Sequence, residues 1–158
     1  MSLRSATLEP NYKIMAELRY QIRRFLHFGE LTAREAGLEP QQYQLMLVLK
    51  GPADGFRGSI GEIAERLLIQ HHSTVELVDR LSRRGMVRRR RGTEDRREVL
   101  IELTTRGEKL LRELALRHRE ELRLAGPEMV GALKKLLRET PGDDAPVRRK
   151  TKRSMAKN

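Results

Sequence analysis

The chain has 158 residues, 38% hydrophobic and 35% charged, enough for one compact unit whose modest core would be extended by burial between subunits. It has no cysteine, which excludes disulfides, zinc–thiolate sites and thiol-based redox sensing; no apolar run has the length of a membrane span. Met1-Ser2-Leu3-Arg4 lacks the apolar stretch of a signal peptide, so a cytoplasmic location is expected, and a net charge of +11 points to a polyanionic partner.

Glu9 to about Ala36 reads as a long helix, with Ile14, Leu18, Ile22, Phe25 and Leu26 at helical spacing and Pro10 in a first-turn position. After Gly37, Pro40 opens a second helix to Lys50, with Tyr43, Met46 and Leu49 on one side. Residues 51–55 (Gly-Pro-Ala-Asp-Gly) form a loop by composition. Ser59 caps a short helix starting near Gly61, with Ile63, Ala64 and Leu67 inward. A turn at Leu68-Ile69 leads to a helix from about His71 to Arg84, in which Thr74, Leu77, Val78 and Leu81 keep the inward rhythm; Gly85 ends it.

Val87–Arg91 and Arg96–Leu103 then read as a β-hairpin, with Val99, Ile101 and Leu103 on one face and Gly92-Thr93-Glu94-Asp95 as the turn. Thr104 or Thr105 caps the next helix, and Thr105 with Glu108 has capping-box spacing. That helix carries Leu110, Leu111, Leu114 and Leu122 to about Ala125; Gly126-Pro127 restarts a last one with Val130, Leu133, Leu136 and Leu137. Beyond Pro141 the composition argues for a disordered basic tail, yet it holds only +4 of the charge and leaves +7 on the rest.

The order implies a mainly α fold with a small β-hairpin, a winged helix-turn-helix. On the helix from His71, the side opposite the apolar stripe displays His72, Glu76, Asp79 and Arg83, with Ser73, Val75 and Arg80 at its margins. Such a face can read a major groove: Glu76 can accept from cytosine N4, Val75 can meet a thymine methyl, and His and Ser can bond base edges. By itself it is equally an ordinary solvated surface. The hairpin shifts the balance, because Arg88, Arg89, Arg90 and Arg91 enter the turn and Arg96 and Arg97 leave it, opposed there only by Glu94 and Asp95. Crowded guanidiniums are costly without an anion nearby, and a narrow minor groove supplies one. A charged edge strand that resists aggregation is the plainer alternative.

Several segments resemble the MarR family of transcriptional regulators. Residues 58–67 are similar to the family's second lobe helix and the short strand before it; Leu77-Val78-Asp79-Arg80-Leu81 with Arg84-Gly85-Met86-Val87 resembles its recognition helix and exit. Asp95-Arg96-Arg97, then Leu103-Thr104 and Gly107, resembles the wing signature, and residues 37–43 the start of the second helix of the chain, so the likeness spans roughly residues 9 to 139. It implies a homodimer whose N- and C-terminal helices intertwine and whose two lobes reach a pseudo-palindromic operator on double-stranded DNA. The implied division is 1–36 and 105–140 as dimerisation arm, 37–104 as DNA-binding domain and 141–158 as tail. Repression, relieved by a small aromatic or phenolic effector between arm and lobe, is the implied function.

Carried over by position, the DNA readers are Gln70, His72, Ser73, Val75 and Glu76 on the helix and Arg90, Arg91 and Arg97 on the wing, with Arg80, Arg83 and Arg96 beside them. Asp95 is expected to brace the wing by pairing with an arginine. One departure is Gln70-His71-His72-Ser73, which stands where a Ser-Pro-Ser-like turn is usual. No residues are assigned to the effector, since apolar positions at the arm–lobe junction are also explained as dimer core.

An enzyme is not expected: GxSxG, HExxH and phosphate-cradling glycine loops are absent, and no cofactor is implied. His71 and His72 are adjacent, hence about 100° apart on a helix, a poor chelating pair; His27 and His118 read as plain surface residues, and no metal is expected. The alternative function is a sequence-tolerant architectural nucleic-acid binder without an effector, although 4% aromatics leave few stacking platforms.

Overall fold

The computed structural model describes residues 11–51, 55–93 and 95–139. Among the described residues, five helices and one hairpin follow in the order α1 (Tyr12–Glu35), α2 (Pro40–Lys50), α3 (Ile60–Leu67), α4 (His71–Arg83), β1 (Val87–Arg91), β2 (Val99–Leu103) and α5 (Thr105–Glu139). The mainly helical class and the winged helix-turn-helix are as the sequence implies. Among the described residues no helix is long and apolar enough to cross a membrane. Glu9, Pro10, residues 52–54, Glu94 and the basic tail lie outside the described residues.

Local chemistry sets the helix starts. Asn11 caps α1 by accepting from the Ile14 amide at 3.0 Å. Ser59 and Glu62 form a reciprocal box on α3: Ser59 Oγ accepts from the Glu62 amide, and Glu62 Oε2 accepts from the Ser59 amide at 2.9 Å. Glu62 also accepts from the Arg57 amide. Burial alone would raise its carboxyl, but the Ser59 and Arg57 contacts win and hold it below the usual range. At α5 the cap is Thr104, whose Oγ accepts from the Gly107 amide at 3.1 Å and donates to the Gly85 carbonyl at 2.6 Å. Glu108 does not reach back to complete the expected Thr105 box, because Lys50 holds it at 2.6 Å.

The lobe core joins Tyr43, Leu45 and Met46 of α2, Ile63 of α3, Leu77, Val78 and Leu81 of α4, and Val87 and Ile101 of the hairpin. β1 and β2 are antiparallel, with Val87 opposite Leu103 and Arg91 opposite Val99. Ile101 donates to the Gly58 carbonyl at 2.8 Å, so the segment before α3 lies along the free edge of β2. A side chain at Gly58 (φ +85°) would lie 2.6 Å from the Ile101 carbonyl oxygen, so this approach requires glycine.

Three expectations are corrected. The second strand begins at Val99 rather than Arg96, and its buried pair is Leu100 and Ile101 while Val99 is exposed. Contact with the Gly58–Ser59 segment covers the strand where simple alternation would leave it open. The last two helices are one, α5, running through Pro127. An interior proline costs about 3 kcal/mol; packing along α1 on both sides of it, with Arg117 on Glu35 before it and Arg24 on Glu128 with buried Ala132 beyond, offsets that cost. Finally, the face of α1 that turns inward carries Gln21, Gly29, Thr32 and Ala33, whereas Ile22 and Leu26 of the expected stripe are exposed.

The turn between α3 and α4 stores strain. Leu68 adopts φ 55°, ψ 39° with its side chain 92% exposed, so it bears the left-handed penalty without burying anything. Leu68→Gly is expected to raise stability by about 0.5–1 kcal/mol, part of the relieved strain being offset by the unfolded glycine's freedom; a urea midpoint that falls would contradict this.

Candidate nucleic-acid interface

Burial of Thr74, Leu77, Val78 and Leu81 orients α4, and Thr74 Oγ is satisfied by donating to the Gln70 carbonyl at 3.2 Å. The opposite side faces solvent: Gln70, His71, His72, Glu76 and Arg83 are exposed, and Ser73, Val75, Asp79 and Arg80 are half-buried. The helix has no side-chain N-cap and no acidic residue in its first turn. Its leading amides and the positive end of its dipole therefore point outward unopposed, a geometry that suits a phosphate.

Ion pairs divide the expected site residues into two groups. Arg80 is drawn to Glu39 at the start of α2 (2.9 Å), with Glu76 farther at 4.0 Å. Arg89 holds Asp79 at 2.6 Å, fastening β1 to α4. Arg88 and Arg90 share Glu102, at 2.6 and 3.1 Å, on one face of the hairpin. Glu98 takes Arg57 at 3.0 Å. Arg91, Arg96 and Arg97 are exposed and have no carboxylate partner among the described residues. The six guanidiniums are thus half compensated, by acids that the hairpin turn itself does not contain. The strand register could have revealed one of these: Arg88 lies directly opposite Glu102.

Asp95 acts on the backbone. Its Oδ1 accepts from the Arg97 amide at 2.8 Å, rather than pairing with a guanidinium as expected. With the Gly92 amide on the Glu98 carbonyl and the Glu98 amide on the Asp95 carbonyl, this ties the wing turn. A β-carbon at Gly92 would lie 2.5 Å from the Asp95 carbonyl oxygen. The turn holds Arg96 and Arg97 at the tip without neutralising them.

His118, expected at the surface, is half-buried, with its Nε2 shut from solvent. It packs between Phe25 and Phe28 of α1 and Tyr43 of α2, with Nδ1 at 2.7 Å from Tyr43 Oη. No local pattern marks it, since its burial depends on how α1 and α2 meet α5. Among the described residues no group of three His, Asp or Glu side chains could hold a metal ion.

The model of the MarR family matches residues 36–98, from the end of α1 to the wing. Over this stretch, which is the winged helix, the chain is similar to the MarR family. A curated relative, the HTH-type transcriptional repressor YetL of Bacillus subtilis, is 35% identical over 82 residues, covering 52% of this chain and 48% of YetL. The chain thus spans about half the length of the curated relatives it matches. AbsC, a MarR family transcriptional regulator from Streptomyces coelicolor, has a similar structure with TM-score 0.62 and 23% identity, covering 80% of this chain and 86% of AbsC. A mutant MarR from E. coli complexed with operator DNA gives TM-score 0.60 and 18% identity, covering 83% and 95%. At these identities the two structures speak for the fold alone.

Removing the Asp95 carboxylate in Asp95→Ala is expected to cost about 1 kcal/mol locally and to speed hydrogen exchange at the Arg97 amide, with the α4 amides unchanged. Unaltered exchange at Arg97 would mean that the carboxylate does not hold the turn.

Proposed function

We propose that this chain is a sequence-specific, double-stranded-DNA-binding repressor of transcription. It works as a cytoplasmic homodimer on a pseudo-palindromic operator and is released by a small aromatic or phenolic effector. The observation that carries the reading is the pairing of an open, uncapped α4 N-terminus with a wing tip whose Arg91, Arg96 and Arg97 have no carboxylate partner among the described residues. In this reading α4 enters the major groove, with Gln70, His72, Ser73, Val75 and Glu76 meeting base edges and the leading amides meeting phosphate. Arg91, Arg96 and Arg97 follow the adjoining backbone or minor groove. Arg83 adds a phosphate contact, while Arg80 and Arg90, held by Glu39 and Glu102, position the lobe and wing more than they touch DNA.

Self-association is supported by apolar side chains that one protomer leaves open on the arm, among them Tyr12, Ile22 and Leu26 of α1 and Leu124, Leu133 and Leu137 of α5. Residues 1–36 and 105–140 would form the dimer arm, 37–104 the DNA-binding domain and 141–158 a basic tail. The arm would place two lobes on one face of a duplex, matching an operator's two-fold symmetry to the protein's own.

The test is binding of the full chain to a palindromic duplex recovered by selection, competed by random duplex. A preference of about 10³-fold or more is expected; equal competition would favour the sequence-tolerant architectural binder. Arg91→Ala or Arg97→Ala should weaken binding to every duplex and reduce the salt slope by roughly one for each phosphate no longer neutralised. Glu76→Gln should instead change preference at one base pair by about 1–3 kcal/mol. Identical behaviour of helix and wing variants across sequences would refute this division of roles.

A further inference from the structure

His118 lies where α5 passes between the arm helix α1 and the lobe helix α2, away from the proposed DNA face. Its ring stacks on Phe25 with centroids 5.2 Å apart and tilts against Phe28 at 5.8 Å and Tyr43 at 5.4 Å. A side chain at Gly29 would overlap the ring's Cε1 and Nε2, so α1 accepts the imidazole against its bare backbone. Nδ1 is paired with the Tyr43 hydroxyl at 2.7 Å. Nε2 is shut from solvent and has no hydrogen-bond partner.

Proton counting shows what this box tolerates. A neutral imidazole has one N–H and one bare nitrogen, and the Tyr43 hydroxyl can serve Nδ1 in either role. An imidazolium has an N–H at both, so Nε2 would become a buried charged donor among aromatic rings, with the Phe25 carbonyl as the polar group nearby. Few neighbours could compensate. From α1 come Phe25, Phe28 and Gly29, none of them ionisable, with the Phe25 carbonyl as the polar group nearby; from α2 comes Tyr43, whose hydroxyl is pushed up by burial and stays neutral. On α5 itself Glu121 follows one turn on. Burial outweighs the pull of the Phe25 carbonyl and Glu121 and holds His118 below the ordinary histidine value.

We propose that His118 is a proton-sensitive wedge: the neutral ring locks arm to lobe, and proton uptake expels it from the aromatic box and resets how the lobe sits on the arm. The ring binds a proton more weakly when packed than when displaced. The lock is therefore complete above the ordinary histidine value of 6.5, weakens as pH falls through it, and changes no further below the packed ring's own value. Each unit of depression amounts to about a tenfold shift toward the displaced state. The consequence for operator affinity rests on the function proposed above; the wedge itself does not.

The experiment is an NMR titration of the histidine rings in the full chain, with His118→Gln assigning the signal. Duplex-DNA binding is followed in parallel at constant ionic strength from about pH 7.5 to 5.5, the range in which histidine charges. The expected result is a His118 midpoint below the ordinary value, with Tyr43 and Phe25 resonances moving in step. Affinity should fall on acidification, and that fall should shrink in His118→Gln. Gly29→Ala should displace the ring at neutral pH, return His118 to an ordinary midpoint and give the acid-state affinity at pH 7.5. A wild-type midpoint at or above the ordinary value, or Tyr43 and Phe25 resonances that ignore the titration, would overturn the wedge. If ring and neighbours titrate together while affinity stays constant, the coupling to DNA is wrong. A chain that binds no duplex at any pH, yet shows the coupled titration, would refute the proposed function and leave the wedge standing.

Discussion

Everything at the candidate interface depends on the burial of one side of α4. Thr74, Leu77, Val78 and Leu81 are completely or almost completely enclosed by α2, α3 and the hairpin. A helix with one face buried has no rotational freedom left, so its polar side is presented in a single orientation. The Asp79–Arg89 pair then ties β1 to the same helix, and the wing inherits that orientation. Exposed ion pairs contribute little energy; here the pair acts through position.

Charge is distributed by the same frame. The hairpin's positive run would repel itself, yet Glu102 and Asp79 take the arginines nearest the lobe, while those nearest the tip have no carboxylate partner among the described residues. A cation already paired must give up its partner to meet a phosphate, whereas an open one releases only counterions. The gradient from paired base to open tip concentrates the attraction for a polyanion at the tip. Asp95 fits this pattern because it spends its carboxylate on an amide and leaves the guanidinium beside it free.

The arm has two kinds of surface. Between α1 and α5, small and polar residues such as Gly29, Thr32, Ala33 and Gln21 allow close approach, and Gln21 is satisfied by Glu17 and Arg24. Other large apolar residues of the two helices, among them Tyr12, Ile22, Leu26, Leu124, Leu133 and Leu137, are exposed. At the junction with the lobe, aromatic rings and one imidazole fill the space.

What the sequence determined by itself was whatever follows from local periodicity and capping: the bounds of α2, the Ser59 cap, the inward stripe of α4, the Gly85 stop and the arginines of the wing. These rest on neighbours within four residues, or on a hairpin's short loop, so the chain states them directly. Only the tertiary structure decided that α5 continues through Pro127, that Leu100 is buried and Val99 is not, that Glu102 answers two wing arginines, and that His118 is drawn in between α1 and α2. Each of these is settled by a partner far along the chain, α1 for Pro127 and His118, the Gly58 segment and β1 for the second strand. Packing energy from such partners exceeds local preference, and no short window of residues contains it.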